Sequence, residues 1–324
     1  MNYWLNNLFC PAHGSEKPLV ISSKGSSGDY TGCTDLAYQR AISDGVDVLD
    51  CPVQMTKDEI PVCLGSINLI DYTKVAQSSF SNLTTTISEL GVVNGIFPFS
   101  LTWSQIQSLT RKLKAAHTFF GNIEPVYSFP IVPESKIQNA GKFMTLFEFL
   151  ALANNASSVS GVLISIEPYP YLDDLIKEEK EVFTSSKKIM IQSTDSSVLI
   201  KFKEEKSNYE LVYVVDEDIH DADNSTVAEI TKFANSVVVS KSSVFPNSDA
   251  YLTGTTDVVQ KLHAFKLPVF VKLFRNEFIS QAWDFCSDAI VEINSFVMGA
   301  EIDGVITEFP GTAAKYKKNP PQRF

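Results

Sequence analysis

The sequence predicts an α/β protein built as a single (β/α)8 barrel, and three observations lead there. Short β-branched runs alternate with helical stretches along most of the 324 residues, as parallel strands joined by crossover helices do. No internal repeat or interdomain linker interrupts the alternation. One hairpin arm set aside, eight strand candidates remain, the number such a barrel closes with.

Pro18–Ser22 reads as the first strand, Val46–Val53 as the second and Ile60–Leu64 as its neighbour. Only Gln54–Glu59 separates the last two, too short for a crossover of a dozen or more residues, so they pair as an antiparallel hairpin. Gly65–Lys142 carries one clear helix near Trp103–Leu109 and much Ser/Thr-rich irregular sequence, which fits an insertion over the barrel mouth. The remaining strands are expected at Gly161–Glu167, Lys188–Gln192, Glu210–Val215, Ser236–Ser240, Pro268–Phe274 and Asp303–Glu308. Capping boxes are expected at Thr102 with Gln105, Thr145 with Glu148 and Thr226 with Glu229. Val258, Val259, Leu262 and Phe265 share one helical face and read as core. Residues 1–17 form a segment outside the barrel, 18–317 the barrel domain and 318–324 a polar tail.

Composition narrows the function classes. Hydrophobic residues make up 44%, while Gly and Pro at 15 each exclude a collagen-like or wholly disordered chain. The net charge of −11 repels phosphate backbones and anionic membrane surfaces, so nucleic acid ranks low as a partner. No apolar run approaches the roughly 20 residues of a membrane helix. The N-terminus lacks the basic start of a signal peptide, and KYKKNPPQRF at the C-terminus lacks the apolar end of a glycolipid-anchor signal. Three sequons, at Asn82, Asn155 and Asn224, point instead to N-glycosylation and an extracellular or cell-surface setting. The five cysteines match no zinc spacing. Cys51 and Cys63 flank the hairpin and are candidates for a disulfide, with Cys33 as another partner.

Barrel chemistry gathers at the C-terminal ends of the strands. Those ends offer Ser22, Ser23 and Lys24, then Asp50 and Pro52, Gly65 and Ser66, Glu167, Gln192 and Ser193, Asp216, Lys241, Arg275 with Asn276, and Thr307 with Glu308. Asp50 and Glu167 end consecutive parallel strands, a placement suited to sharing a hard cation such as Mg²⁺ or Ca²⁺.

The stretch ISSKGSSGDYTGCTDLAYQRAISDGVDVLDCPVQMTKDEIPVCLGSINL, Ile21 to Leu69, resembles the N-terminal signature of the glycerophosphodiester phosphodiesterases. GVLISIEP, IMIQSTDSSVL, VFVKLFRNEF and DGVITEFPGTAAKY resemble one half of the plant glycerophosphodiester phosphodiesterase-like proteins, which carry two such domains in tandem, often with a glycolipid anchor. The resemblance implies a barrel in which a divalent cation and two histidines cleave a glycerophosphodiester, as part of lipid and glycerol metabolism. Its catalytic His-Arg falls on Ser23 and Lys24, and its second His-Asp on Gly65 and Ser66. Its metal carboxylates fall on Asp50, Pro52 and Glu167.

Both imidazoles and one metal carboxylate are therefore replaced. General acid–base catalysis supplies about 10²–10⁴-fold per group, so hydrolysis should be weak or lost. His13, His117, His220 and His263 read as surface or packing residues, with His117 in the insertion best placed to reach the mouth. The resemblance leaves two expectations: a phosphodiesterase-family domain of little activity, or a binding or structural module at the plant cell wall. In the second, Lys24, Glu167 and Arg275 contact a small glycerophosphodiester or wall ligand, and a second tandem domain is a further partner.

Overall fold

The structure is a computed structural model that describes residues 17–111, 141–167, 185–205, 208–277 and 280–321. The strands are β1 (Leu19–Ser22), β2 (Val48–Met55), β3 (Pro61–Cys63), β4 (Thr85–Ile87), β5 (Val92–Gly95), β6 (Gly161–Ser165), β7 (Lys188–Ser193), β8 (Glu210–Val214), β9 (Ser236–Ser240), β10 (Asn247–Ser248), β11 (Tyr251–Leu252), β12 (Val269–Phe274) and β13 (Gly304–Thr307). Eight of them run parallel in the order β1-β13-β12-β9-β8-β7-β6-β2, and β2 returns to β1 with Ile21 opposite Val48 to close the barrel. As the six-residue spacer requires, β3 lies antiparallel on β2, with Val53 opposite Cys63.

Strand side chains alternate between two apolar layers. Ile21, Val48, Leu163, Met190, Val212, Val238, Phe270 and Ile306 fill the barrel's interior. Their neighbours, among them Leu49, Val162, Ile191, Val237, Val271 and Val305, pack outward against helices that include α1 (Asp35–Asp44), with Tyr38 and Ala41 fully buried there. At about 1.5–3 kcal/mol for each fully buried aliphatic side chain, these layers dominate the stability of the fold.

In the insertion, α2 (Trp103–Ser108) and α3 (Leu146–Asn155) after it begin at the capping boxes of Thr102 and Thr145. Leu69, Tyr72, Val75, Ile96, Leu101 and Ile106 form a separate core on β3. The hairpin of β4 and β5 within the insertion, and the small β10–β11 ribbon, were not legible as strands. Thr226 does not cap its helix, a correction to the expected box. The helix Asn224–Ile230 starts earlier because the Asp223 carboxylate accepts from the N–H groups of Ser225 and Thr226, which puts Thr226 inside the first turn. Val258, Val259 and Leu262 are buried as expected, and the final helix, Pro310–Lys318, ends one residue beyond the expected boundary. Residues 1–16 and 112–140, with Cys10, His13 and His117, lie outside the described residues.

Cys51 and Cys63 are joined, with Cα atoms 5.3 Å apart, so a covalent link reinforces the hairpin one residue after Asp50. Cys33 is free and buried, Cys286 free and exposed. At the opposite end of the barrel from the strand C-termini, His263 bonds through Nε2 to Asp303 Oδ2 at 2.8 Å. The same oxygen accepts the Val269 N–H at 2.7 Å, so this histidine ties helix Val258–Ala264 to the bottom of β12 and β13. Asn82, Asn155 and Asn224 are all exposed.

Reducing the Cys51–Cys63 bond, which closes a separation of 12 residues, is expected to cost about 2–3 kcal/mol. A urea titration with and without dithiothreitol reads it, and an unchanged midpoint would show that the link does not stabilise the native state. The Asp303 bond raises the pKa of His263 above 6.5 against the opposing effect of burial. A raised folded value means stability that is fully present below the unfolded pKa and lost as pH rises through the folded one. His263→Gln should therefore cost up to about 1 kcal/mol near pH 6, modest because the pair is partly exposed, and the gap should shrink as the medium turns alkaline. Thermal melts across that range check it.

Candidate functional site

The two-residue period of the strands builds the barrel mouth. Two positions beyond the interior residues Ile21, Val48, Leu163, Met190, Val238, Phe270 and Ile306 stand Ser23, Asp50, Ser165, Gln192, Ser240, Lys272 and Glu308. A nearly continuous polar ring thus caps the apolar interior.

Asp50 is its best-connected member, 6% exposed. Its Oδ2 accepts the Lys24 backbone N–H at 3.3 Å and its Oδ1 the Ser165 hydroxyl at 3.2 Å, while Gln192 Nε2 donates to that hydroxyl at 2.9 Å. The Tyr38 hydroxyl holds the backbone of Asp50, donating to its carbonyl at 3.1 Å. Burial pushes the Asp50 carboxyl up to about 6, although the Lys24 charge and these hydrogen bonds pull the other way. Burial likewise pushes the Cys33 thiol up to about 12, so it is no nucleophile near neutral pH.

Lys24 sits in the left-handed region at φ 58°, which costs a non-glycine residue about 1–2 kcal/mol. The next residue, Gly25, has φ 80° and lies so close to α1 that a Cβ on it would stand 2.7 Å from the Ala37 carbonyl carbon. This tight turn aims the half-buried Lys24 side chain across the mouth, where its Nζ donates to the Tyr72 hydroxyl at 3.2 Å. Burial lowers the pKa of Lys24, but Tyr72, Cys33 and Asp50 together raise it above the ordinary lysine value, so the side chain is a cation at neutral pH.

Further round the ring, Glu167 accepts the Thr194 hydroxyl at 2.7 Å, and burial, aided by Asp216 and Asp195, raises its pKa. Arg275 is engaged by Glu308 through Nε at 2.9 Å and a terminal nitrogen at 3.2 Å, a two-pronged pair that occupies much of its fork. Ser66 turns to Asp71, donating at 2.6 Å. The structure thus brings Ser23, Lys24, Asp50 and Gly65 to one mouth with Glu167 on its rim. Tyr72, Ser165 and Thr194 complete the network and were not singled out by sequence.

Residues 24–312 match the model of the glycerophosphoryl diester phosphodiesterase family. The chain belongs to that family. Two relatives from Arabidopsis thaliana, the glycerophosphodiester phosphodiesterases GDPDL1 and GDPDL3, are 50% and 48% identical over 93% of this chain. The chain spans 40% of the length of each. The barrel is shared with a glycerophosphodiester phosphodiesterase of Thermotoga maritima, TM-score 0.55 at 16% identity, covering 94% of this chain and 99% of that one. It is shared also with an Oleispira antarctica phosphodiesterase solved with its product sn-glycerol-3-phosphate, TM-score 0.62 at 14% identity, covering 93% of this chain and 97% of that one.

Among the family positions of the resemblance, Gly65 is the most informative. A Cβ built there would stand 2.7 Å from Lys24 Cδ and 2.8 Å from the Tyr72 hydroxyl, so the volume where a larger side chain would begin is filled. Pro52 lies opposite Ser165 in the sheet and brings no carboxylate. Asp50 and Glu167 remain as carboxylates, and both already accept from protein donors, Asp50 from the Lys24 N–H and the Ser165 hydroxyl and Glu167 from the Thr194 hydroxyl. Among the described residues no group of three or more His, Cys, Asp or Glu is placed to hold a metal. His220 is exposed on the loop after β8, and His263 lies at the far end of the barrel.

Gly25→Ala is expected to lower stability by about 2 kcal/mol or more, because it combines positive φ with a backbone clash. Chemical denaturation measures it, and a cost below about 0.5 kcal/mol, within the range of ordinary surface changes, would mean that the first loop does not depend on this close approach.

Proposed function

We propose that this barrel binds the glycerophosphate part of a glycerophosphodiester and does not hydrolyse it at an enzyme's rate. The observation that carries the reading is at Gly65, where Lys24 Cδ and the Tyr72 hydroxyl occupy the place from which an imidazole would project. Ser23, at the other imidazole position, is a buried hydroxyl that has no proton equilibrium near neutral pH. With both proton carriers gone, a loss of roughly 10⁴-fold or more follows from their usual worth. What remains is a polar mouth across which the Lys24 ammonium reaches, which suits holding a phosphate better than breaking it.

The setting of the proposal is extracellular. A disulfide persists in oxidising compartments, and the sequons at Asn82, Asn155 and Asn224 are exposed as glycan acceptors must be. A second domain of the same polypeptide is a proposed partner, in line with relatives more than twice as long. Wall oligosaccharides are the competing ligand class.

Choline release from glycerophosphocholine by the purified chain, with Mg²⁺ or Ca²⁺ supplied, tests the reading. Background release together with measurable calorimetric binding of sn-glycerol 3-phosphate is expected. Turnover approaching the ~10 s⁻¹ of a typical enzyme would sink it, and heat with wall oligosaccharides alone would reassign the ligand.

A further inference from the structure

Lys24 is fixed from three directions. Its N–H donates to Asp50 Oδ2 at 3.3 Å, its carbonyl accepts the Cys33 N–H at 3.0 Å, and the following Gly25 is wedged against α1. From this turn the side chain crosses the space over Gly65, where a Cβ would lie 2.7 Å from Cδ and 3.0 Å from Cε. The ammonium ends on the Tyr72 hydroxyl and 5.8 Å from the centre of its ring. Among the described residues no carboxylate is bonded to it. An ammonium has three donors, and one goes to Tyr72. The residue is only half-buried, and Tyr72 is the hydrogen-bond partner its ammonium shows among the described residues.

We propose that the Lys24 ammonium takes the place of a divalent cation in this barrel, so that the mouth holds a phosphate-bearing ligand without any metal ion. The proposal rests on the reading that the mouth binds a glycerophosphate group. Three features of the chain act together in it. Pro52 supplies no carboxylate, Gly65 supplies the path along which the lysine reaches the centre, and Tyr72 holds the ammonium from the insertion side. A divalent ion at Asp50 would face that ammonium in a half-buried setting, where like charges are poorly screened. Each Asp50 oxygen also already accepts a hydrogen bond, from the Lys24 N–H and from the Ser165 hydroxyl, which leaves fewer lone pairs for an ion. A phosphate meets the opposite situation, a fixed cation with donors to spare and a neighbouring phenol.

Calorimetry on the whole chain with sn-glycerol 3-phosphate, in EDTA and then in millimolar Mg²⁺ or Ca²⁺, tests this. Affinity should agree within about 2-fold between the buffers. Lys24→Met should weaken binding by about 10-fold or more, the usual worth of a charge-assisted contact. Gly65→Ala keeps the ammonium but pushes Cδ aside, and should weaken binding several-fold. It and the EDTA comparison decide the matter if Lys24→Met fails to fold. The metals alone should give no saturable heat. Binding that requires the divalent ion, saturable Mg²⁺ or Ca²⁺ binding lost in Asp50→Asn, or no binding in either buffer would each overturn the proposal. Choline release from glycerophosphocholine, followed with the same protein preparations in the same buffers, separates the two readings. Release at an enzyme's rate overturns the non-hydrolytic one alone, and metal-dependent binding without release overturns this one alone.

Discussion

The contact between the Lys24 backbone N–H and the Asp50 carboxylate joins the first βα loop to the second strand, and the rest of the mouth is arranged around it. Asp50 is almost wholly buried, so its charge is tolerable only while donors surround it. Lys24, Ser165 and, one step further, Gln192 are those donors. Each comes from a different element, so the carboxylate reports on the alignment of β1, β2, β6 and β7 at once. The same loop geometry that brings the N–H to Asp50 sends the ammonium over Gly65, which couples the stability of the mouth to the position of its cation.

Much of this was legible in the sequence. The eight parallel strands were placed within one or two residues at most of their ends, because β-branched runs bounded by turn residues are a local signal and barrel closure supplies the count. The Cys51–Cys63 pairing was one of the open alternatives, and the 5.3 Å approach of their Cα atoms, diagonal to the pair Val53 and Cys63, decides it. Local pattern was a poorer guide where competing caps sit close together. Asp223 outcompetes Thr226 because a carboxylate placed one turn earlier satisfies two N–H groups and adds favourable charge at the helix start.

The site divides along the same line. Ser23, Lys24, Asp50, Gly65 and Glu167 follow from strand ends and family pattern, and the structure gathers the first four at one opening. Tyr72 was invisible because it lies 48 residues from the lysine it holds, inside a Ser/Thr-rich insertion without periodicity. Ser165 did have a signal in the alternation Leu163, Ser165, Glu167, which places all three on the inward face. Arg275 shows a different limit: its place at a strand end was legible, but sequence gives no hint that Glu308, the end of the neighbouring strand, engages its fork.

The acidic balance of the chain does not forbid an anion at this mouth. A net charge of −11 is spread over the surface, where salt screens each charge within about 8–10 Å. The Lys24 ammonium acts over contact distance in a half-buried setting. An opposite charge 4 Å away at an effective dielectric of 20 gains about 4 kcal/mol before desolvation is subtracted. Short range favours the ligand and long range repels it, so the field should slow encounter more than it weakens the bound state. A mouth of this kind selects ligands by the fit of one phosphate to one fixed cation, and the overall charge discourages polyanions that cannot make that fit.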